Sequence, residues 1–414
     1  MEIPGVPEVL LRALVAAAQS ERLALVGGAV RDLLLHRVHK QQWNGLPDID
    51  LVYEGSAVDL VQRLVMNLPA GTFCHIREHG AYGTVELKLI FGDAGVWFLD
   101  VATARSESYP LAAGNPLVGA GCIEDDLCRR DFTINAIAML LSPGVSGGEL
   151  LDPHHGQDDL AHRCLRFLHS ASLIDDPTRL LRAARYAARL SMELEPTSLA
   201  QARAVISRWP WLWRHGDPAQ QAPPGLATRL RMELVLLLER EPWFQALEHL
   251  QSWGGLSLLD PGLQNTQRWR MALLRAHRHN LDKLPVLLAC GDDPITTAER
   301  LQLPHRQQRM LKAFVQLRSS FAELPSALLD IWQASEWTDW LESQPCPEQA
   351  VHLALLCADV PRRPLLMWLF YWRHVNAGVS ATDLIDSGVP VGPSIGQRLR
   401  ELRANRLKQY EETP

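Results

Sequence analysis

The sequence predicts an α+β chain: a mixed sheet with helices over residues 1–150, followed by an all-α remainder. Three observations predict it. Apolar runs of strand length alternate with helix-spaced segments up to about residue 145. From Asp158 onward nearly every apolar pattern has the helical period. Between helical stretches, RHGDPAQQAPPG at 214–225 gathers proline and glycine as a linker does.

The elements follow in order. Residues 1–20 read as an amphipathic helix, PEVLLRALVAAAQ, acidic at Glu2 and Glu8 and unlike a signal peptide. RLALVGG is a short buried strand running into two glycines, and AVRDLLLHR continues as a helix. PDIDLVYE is a strand ending near Gly55, and SAVDLVQRLVMNL is a helix with Ser56 as its N-cap. AYGTVELKLI and GVWFLDVATAR read as strands. EDDLCRRDFTINAIAMLL reads as one helix, which SPGVSGG ends. In DDPTRLLRAARYAARL, Pro177 starts a helix at its first position.

The bulk composition bounds the function. A chain of 414 residues exceeds one core. Its 47% apolar and 21% charged content is that of a folded soluble protein, and no apolar run is long enough to span a bilayer. Seven cysteines without a CxxC argue against a disulfide framework or a zinc site and fit a reducing cytosol. The net charge of −6 argues against bulk nucleic-acid binding, but the charge is unevenly spread. Residues 161–240 hold twelve arginines against seven acids, and the C-terminal QRLRELRANRLKQY holds five basic residues and one acid. Such local basic faces suit RNA.

Asp48 and Asp50 stand at i and i+2, so a strand points both carboxylates to one face. Two bare carboxylates so placed repel and call for a hard cation, and Mg2+ suits oxygen ligands that leave room for phosphate. A third carboxylate comes from a neighbouring strand, Asp100 in FLDVATAR or, alternatively, Glu86 in GTVELKL. Gly27 and Gly28 let backbone amides approach a phosphate chain, and Arg31 on the next helix can hold a phosphate oxygen. Neither a Walker motif nor GxGxxG is present. RRDFTINA places Arg129, Arg130, Asp131 and Asn135 together, with Arg130 and Asn135 as candidates for triphosphate and sugar contacts. Asp176 and Arg179 are three apart. A carboxylate that accepts beside a guanidinium that donates matches the pairing edges of cytosine and adenine, and mismatches those of uracil and guanine. Arg182, Arg185 and Arg189 follow on a related face, placed to brace that pair or hold phosphates.

The ordered series LVGGAVRD…DID, RRDFTINA, LLDPHHGQDDL, DDPTRLLRAARYAARL and RLRMELVLLLE resembles the class II tRNA nucleotidyltransferase and bacterial poly(A) polymerase family, over roughly residues 22–260. The resemblance implies a polymerase-beta-like nucleotidyltransferase head at 1–150, a helical neck with a base-reading helix at 151–213, and a helical body and tail at 226–414 that bind tRNA. It implies a cytoplasmic, Mg2+-dependent enzyme that selects ATP and CTP without a template. Asp48 and Asp50 would hold the metal. Gly28, Arg31, Arg130, Asp176, Arg179, Arg182 and Arg185 would contact the nucleotide, with Asp176 and Arg179 as base readers. In CCA-adding relatives the segment before EDDLCRRD is a mobile loop that commonly carries charge, whereas SYPLAAGNPLVGAGCI at 108–123 carries none. The implied activity is transfer of AMP and CMP to a tRNA 3′ end. An enzyme adding only the terminal A, a poly(A) polymerase and a non-catalytic tRNA-binding module are the alternatives.

Overall fold

The computed structural model describes residues 3–4, 6–42, 48–80, 83–91, 95–142, 148–325 and 331–409. The chain divides into two compact units, Met1–Arg214 with Pro223–Gly255, and His215–Ala222 with Leu256–Pro414. The first holds α1 (Glu8–Ala18), β1 (Leu23–Val26), α2 (Gly28–Arg37), β2 (Ile49–Tyr53), α3 (Ala57–Asn67), β3 (Phe73–His79), β4 (Thr84–Phe91) and β5 (Gly95–Thr103). A hairpin of β6 (Arg105–Ser108) and β7 (Leu117–Ala120) follows, then α4 (Ile123–Cys128), β8 (Ala138–Leu140) and β9 (Leu150–Leu151). The unit continues with α5 (Gly156–Ala161), β10 (Cys164–Leu165), α6 (Ser172–Asp175), α7 (Thr178–Leu190), β11 (Glu193–Leu194), α8 (Pro196–Arg208), α9 (Thr228–Arg240) and α10 (Trp243–Ser252). The second unit is helical, from Pro261–Asn265 to Pro393–Lys408.

Seven strands form one sheet in the order β3-β4-β5-β2-β1-β8-β9. β2 and β5 run parallel and the remaining neighbours antiparallel, which makes the sheet mixed. The central β1 is buried along its whole length, as a continuous apolar run requires when both faces are covered. β5 alternates instead: Leu99 and Val101 are buried, while Val96, Phe98 and Asp100 are exposed. Ser56 caps α3 by accepting from the Asp59 amide at 3.2 Å.

Four expectations are corrected. EDDLCRRDFTINAIAMLL is not one helix: α4 stops at Cys128, Thr133–Asn135 is a 3₁₀ turn, and Ala138–Leu140 is strand β8 against β1. Asp131 breaks the helix by accepting from the Phe132 amide at 2.8 Å and the Asn135 amide group at 2.9 Å, and Phe132 bridges to Phe167. Arg129, Arg130, Asp131 and Asn135 therefore share a turn and not a helix face. Strand β3 was not anticipated, because FCHIREH carries polar residues on a largely exposed edge. The neck is not wholly helical, since β10 and β11 pair in parallel. Residues 226–255, expected with the body, pack in the unit that holds the sheet. The segment SPGVSGG lies mostly outside the described residues, at 143–147.

Gly156 opens α5 against the 3₁₀ turn, and a Cβ there would lie 2.2 Å from the Thr133 carbonyl oxygen. Backbone cannot yield as a side chain does. Gly156→Ala is expected to destabilise the first unit by about 1–3 kcal/mol, read as a lower urea midpoint with an unchanged slope.

Candidate functional site

Asp50 sits on β2 with Asp100 in register beside it on β5, and Glu86 on β4 is next in the same row. Asp48 lies exposed just before β2. Burial pushes the Asp50 carboxyl up to about 6; Arg130 opposes this, and Asp100 and Asp48 add to it. Asp100 is also raised, by burial and then by Glu86 and Asp48. This is a set of hard oxygen donors with more negative charge than Arg130 balances, and it fits a divalent cation. Among the described residues, the three metal-capable side chains that converge within 4.8 Å are Glu54, Cys122 and Glu124. Those carboxylates are otherwise engaged: Arg22 donates to Glu124 at 2.7 Å, and the Ile123 amide donates to Glu54 at 2.8 Å.

On the β1 side of Asp50 the chain turns through Gly27 at φ +67. A Cβ at Gly27 would lie 2.9 Å from Arg130 Nη1 and 3.5 Å from Asp50 Oδ2, so glycine is required by both backbone and space. This turn opens a cleft of about 440 Å3 lined by Gly27, Gly28, Asp50, Arg130, Asp131, Asn135, Asp176, Arg179 and Arg182. Nine predicted site residues, scattered over 27–182, thus share one wall. Asp48 and Asp100 do not line it; Asp100 stands beside Asp50 on the sheet and Asp48 just before β2.

Arg31 and Arg185 are not at the cleft surface either. Arg31 is 3% exposed and donates to Asn135 Oδ1 and Asp32 Oδ1, both at 2.8 Å, with its guanidinium 5.2 Å from the Tyr186 ring centre. Asn135 donates to Asp131, which accepts from Arg182 at 2.7 Å. Arg182 reaches Glu233 at 3.2 Å; Arg185 pairs with Glu233 and, at 3.2 Å, with Glu241. Burial alone would raise Asp131, but Arg182 and the Asn135 hydrogen bond hold it below the usual carboxylate range. Arg182 and Arg185 act as braces here, one of the two roles open to them from the sequence, while Arg31, expected to hold a phosphate oxygen, is spent on Asn135 and Asp32.

The pair expected to read the base, Asp176 and Arg179, is arranged differently from a shared helix face. Helix α7 begins at Thr178 with Pro177 as its N-cap, so Asp176 stands outside it. Asp176 Oδ1 accepts from the Thr178 amide at 3.0 Å and its hydroxyl at 2.7 Å. Arg179, 5% exposed, donates through Nη2 to the Arg129 carbonyl at 2.9 Å, while its Nη1 is buried with no partner among the described residues. An unsatisfied buried donor in a cleft costs about 1–3 kcal/mol until something accepts from it.

The cleft also holds residues that motif reading passed over: Glu107, Tyr109, Arg229, Met232 and Glu233. Glu107 accepts from Arg105 at 2.8 Å, Arg129 at 3.1 Å and Tyr109 at 3.3 Å. Burial first and Glu107 second push the Tyr109 phenol up to about 12, so it stays protonated as a donor. Arg229 and Glu233 carry the i, i+4 spacing of one helix face, a signal visible in RLRMELVLLLE. The segment 108–123 spans the hairpin loop, with Ala113 buried; its amide donates to the Ile174 carbonyl at 3.1 Å, and Arg229 donates to the Gly114 carbonyl at 2.9 Å.

Asp131→Asn removes the charge that pairs with Arg182. The expected loss is about 2–3 kcal/mol, seen as a lowered Tm, together with weaker nucleotide binding by calorimetry. Gly27→Ala should displace Arg130 and lower nucleotide affinity, and should also lower Tm, because φ +67 strains a residue that carries a Cβ.

Residues 23–166 match the Poly A polymerase head domain family. The A-adding tRNA nucleotidyltransferase of Halalkalibacterium halodurans is 37% identical over 403 residues, which is 95% of this chain and 86% of that protein. The CC-adding tRNA nucleotidyltransferase of Deinococcus radiodurans is 38% identical over 60% of this chain, which spans 58% of that protein. A solved CCA-adding enzyme in complex with CTP shares the fold, with a TM-score of 0.67 at 22% identity, covering 99% of this chain and 96% of that one. No helix of the described residues is long and apolar enough to cross a membrane. On the aspartate row, the glycine turn and the arginine-lined cleft, and on this similarity over nearly the full length, the chain belongs to the tRNA nucleotidyltransferase family that shares the poly(A) polymerase head domain.

Proposed function

We propose that this protein transfers AMP and CMP from ATP and CTP to the 3′ end of tRNA, choosing each nucleotide without a template. The observation that carries the reading is that Asp176 and Arg179, whose Nη1 is buried and unsatisfied, both line the cleft that contains Asp50. An accepting carboxylate and a donating guanidinium fit the amino group and ring nitrogen of cytosine or adenine. Uracil and guanine present the reverse pattern and would leave buried groups unmatched.

The Arg129 carbonyl holds one edge of the Arg179 guanidinium, leaving the other for the base. Arg130, held by Asp126 at 2.9 Å, and the Gly27–Gly28 amides face the triphosphate. The terminal RNA hydroxyl attacks the α-phosphorus; a new O–P bond forms, the α–β bridge breaks, and pyrophosphate leaves. Asp48 and Asp50, with Asp100 adjacent, would hold Mg2+, which supplies activation of the hydroxyl and neutralises the departing charge. The helical second unit would grip the tRNA by phosphate contacts, so binding should weaken with salt.

A second reading, addition of the terminal A alone, is favoured by the absence of charge across 108–123. The 37% identity to an A-adding enzyme also supports it. Three tRNAs, ending before CCA, after the first C and after CC, separate the readings when each is given CTP, ATP or both. Single CCA ends on all three are expected for the first reading, and A addition only to the CC-ended tRNA for the second. Long homopolymer tails, or binding without extension, would overturn both. Chelation should stop incorporation and Mg2+ restore it. Asn at both 48 and 50 should abolish incorporation at unchanged Tm. Arg179→Ala should relax base choice more than it weakens tRNA binding, measured as the ratio of kcat/KM for ATP, CTP, UTP and GTP.

A further inference from the structure

The row that holds Asp50, Asp100 and Glu86 continues to Arg77 on β3, and its face of the sheet is open beyond the acids. Two further rows lie alongside. His75, Lys88 and Phe98 are in register across β3, β4 and β5, and so are Phe73, Ile90 and Val96. The opposite face buries Val85, Leu87, Leu89, Leu99 and Val101. On the open face Phe98 is 47% exposed, Val96 49% and Phe73 59%, and Lys88 Nζ lies 5.9 Å from the centre of the Phe98 ring. Exposed aromatics on a sheet face, among cations and one strand step from reactive carboxylates, are not explained by core packing.

The geometry also says which side of Asp50 is left for the second substrate. The nucleotide cleft lies on the β1 side, built from Gly27, Arg130 and Arg179. The attacking hydroxyl must reach the same carboxylates from elsewhere, and β5 is the strand on their other flank. Phe98 is two residues before Asp100, about 7 Å along the strand. We propose that the open face of β5 and β4 seats the unpaired 3′-terminal nucleotides of the RNA acceptor, with Phe98 as a stacking platform for a base and Lys88 and His75 facing phosphates.

This rests on the reading of the protein as a tRNA 3′-end nucleotidyltransferase. Single-stranded RNA is held by such a combination, since every base has a face to stack and every phosphate a charge to pair. A second copy of this chain fits less well. A two-fold contact would set Lys88, His75 and Arg77 against their own images.

The test uses the full chain and a CC-ended tRNA whose terminal base is the fluorescent analogue pyrrolo-cytosine. Binding to the wild type should quench the fluorescence by stacking. Phe98→Ala should abolish the quench and raise the acceptor KM about tenfold with the ATP KM and Tm unchanged, and Phe98→Tyr should restore both. Lys88→Gln should lower the slope of log affinity against log salt by about 0.7. Acceptor KM and quench unaltered in Phe98→Ala would overturn the proposal. So would a dimer of the wild type that this substitution dissociates while acceptor binding persists. A wild type that extends no RNA defeats the underlying reading instead, and that result is visible without any variant.

Discussion

The cleft depends on one largely buried run of hydrogen bonds and ion pairs: Arg31 to Asn135, Asn135 to Asp131, Asp131 to Arg182, and Arg182 to Glu233. It starts on the helix after the glycine turn, passes through the turn after α4, and ends on α9 by way of α7. Each member is satisfied by the next, which is the condition under which buried polar groups become tolerable. A guanidinium at 3% exposure has little freedom to move, so Arg31 ties the helix after the glycine turn to the 3₁₀ turn at Asn135 and to Tyr186 on α7. Tyr186 strengthens the junction, with the guanidinium carbons of Arg31, Arg182 and Arg189 at 5.2, 5.9 and 5.0 Å from its ring centre.

Against this rigid frame, the groups proposed to meet ligands are under-satisfied. Asp50 is a buried carboxylate next to two others, with Arg130 beside it. Arg130 Nε, Arg179 Nη1 and Arg229 Nε are buried without partners among the described residues. The clustered carboxylates on the sheet and the unmet donors in the cleft are what the proposed cation and nucleoside triphosphate would complement. In the proposed reading, free energy withheld from the folded chain would be released on binding, which keeps a site ready without rearrangement.

Much of this was legible in the chain of residues. A run of four apolar residues before two glycines, then aspartates two apart in an apolar strand, specifies a strand–turn–helix and an acid pair by local rules of period and backbone freedom. The helix from Thr178 was readable to within a residue of its start, because proline fixes φ and cannot donate. The helix assigned across 124–141 was wrong for a tertiary reason: Asp131 is spent on its own backbone and on Arg182, and Ala138–Leu140 is needed as a partner for β1.

By itself, then, the sequence determined the residue types, their local spacing and the glycine turn, since these depend on torsional freedom and side-chain period over a few residues. Only the tertiary structure decided which arginines face the cleft and which brace it. Arg31 and Arg179 look alike along the chain, yet one is spent on Asn135 and Asp32 while the other keeps a donor open. A charge is a ligand contact or a brace according to what stands within hydrogen-bond reach of it. In this chain those neighbours lie up to 116 residues away in sequence.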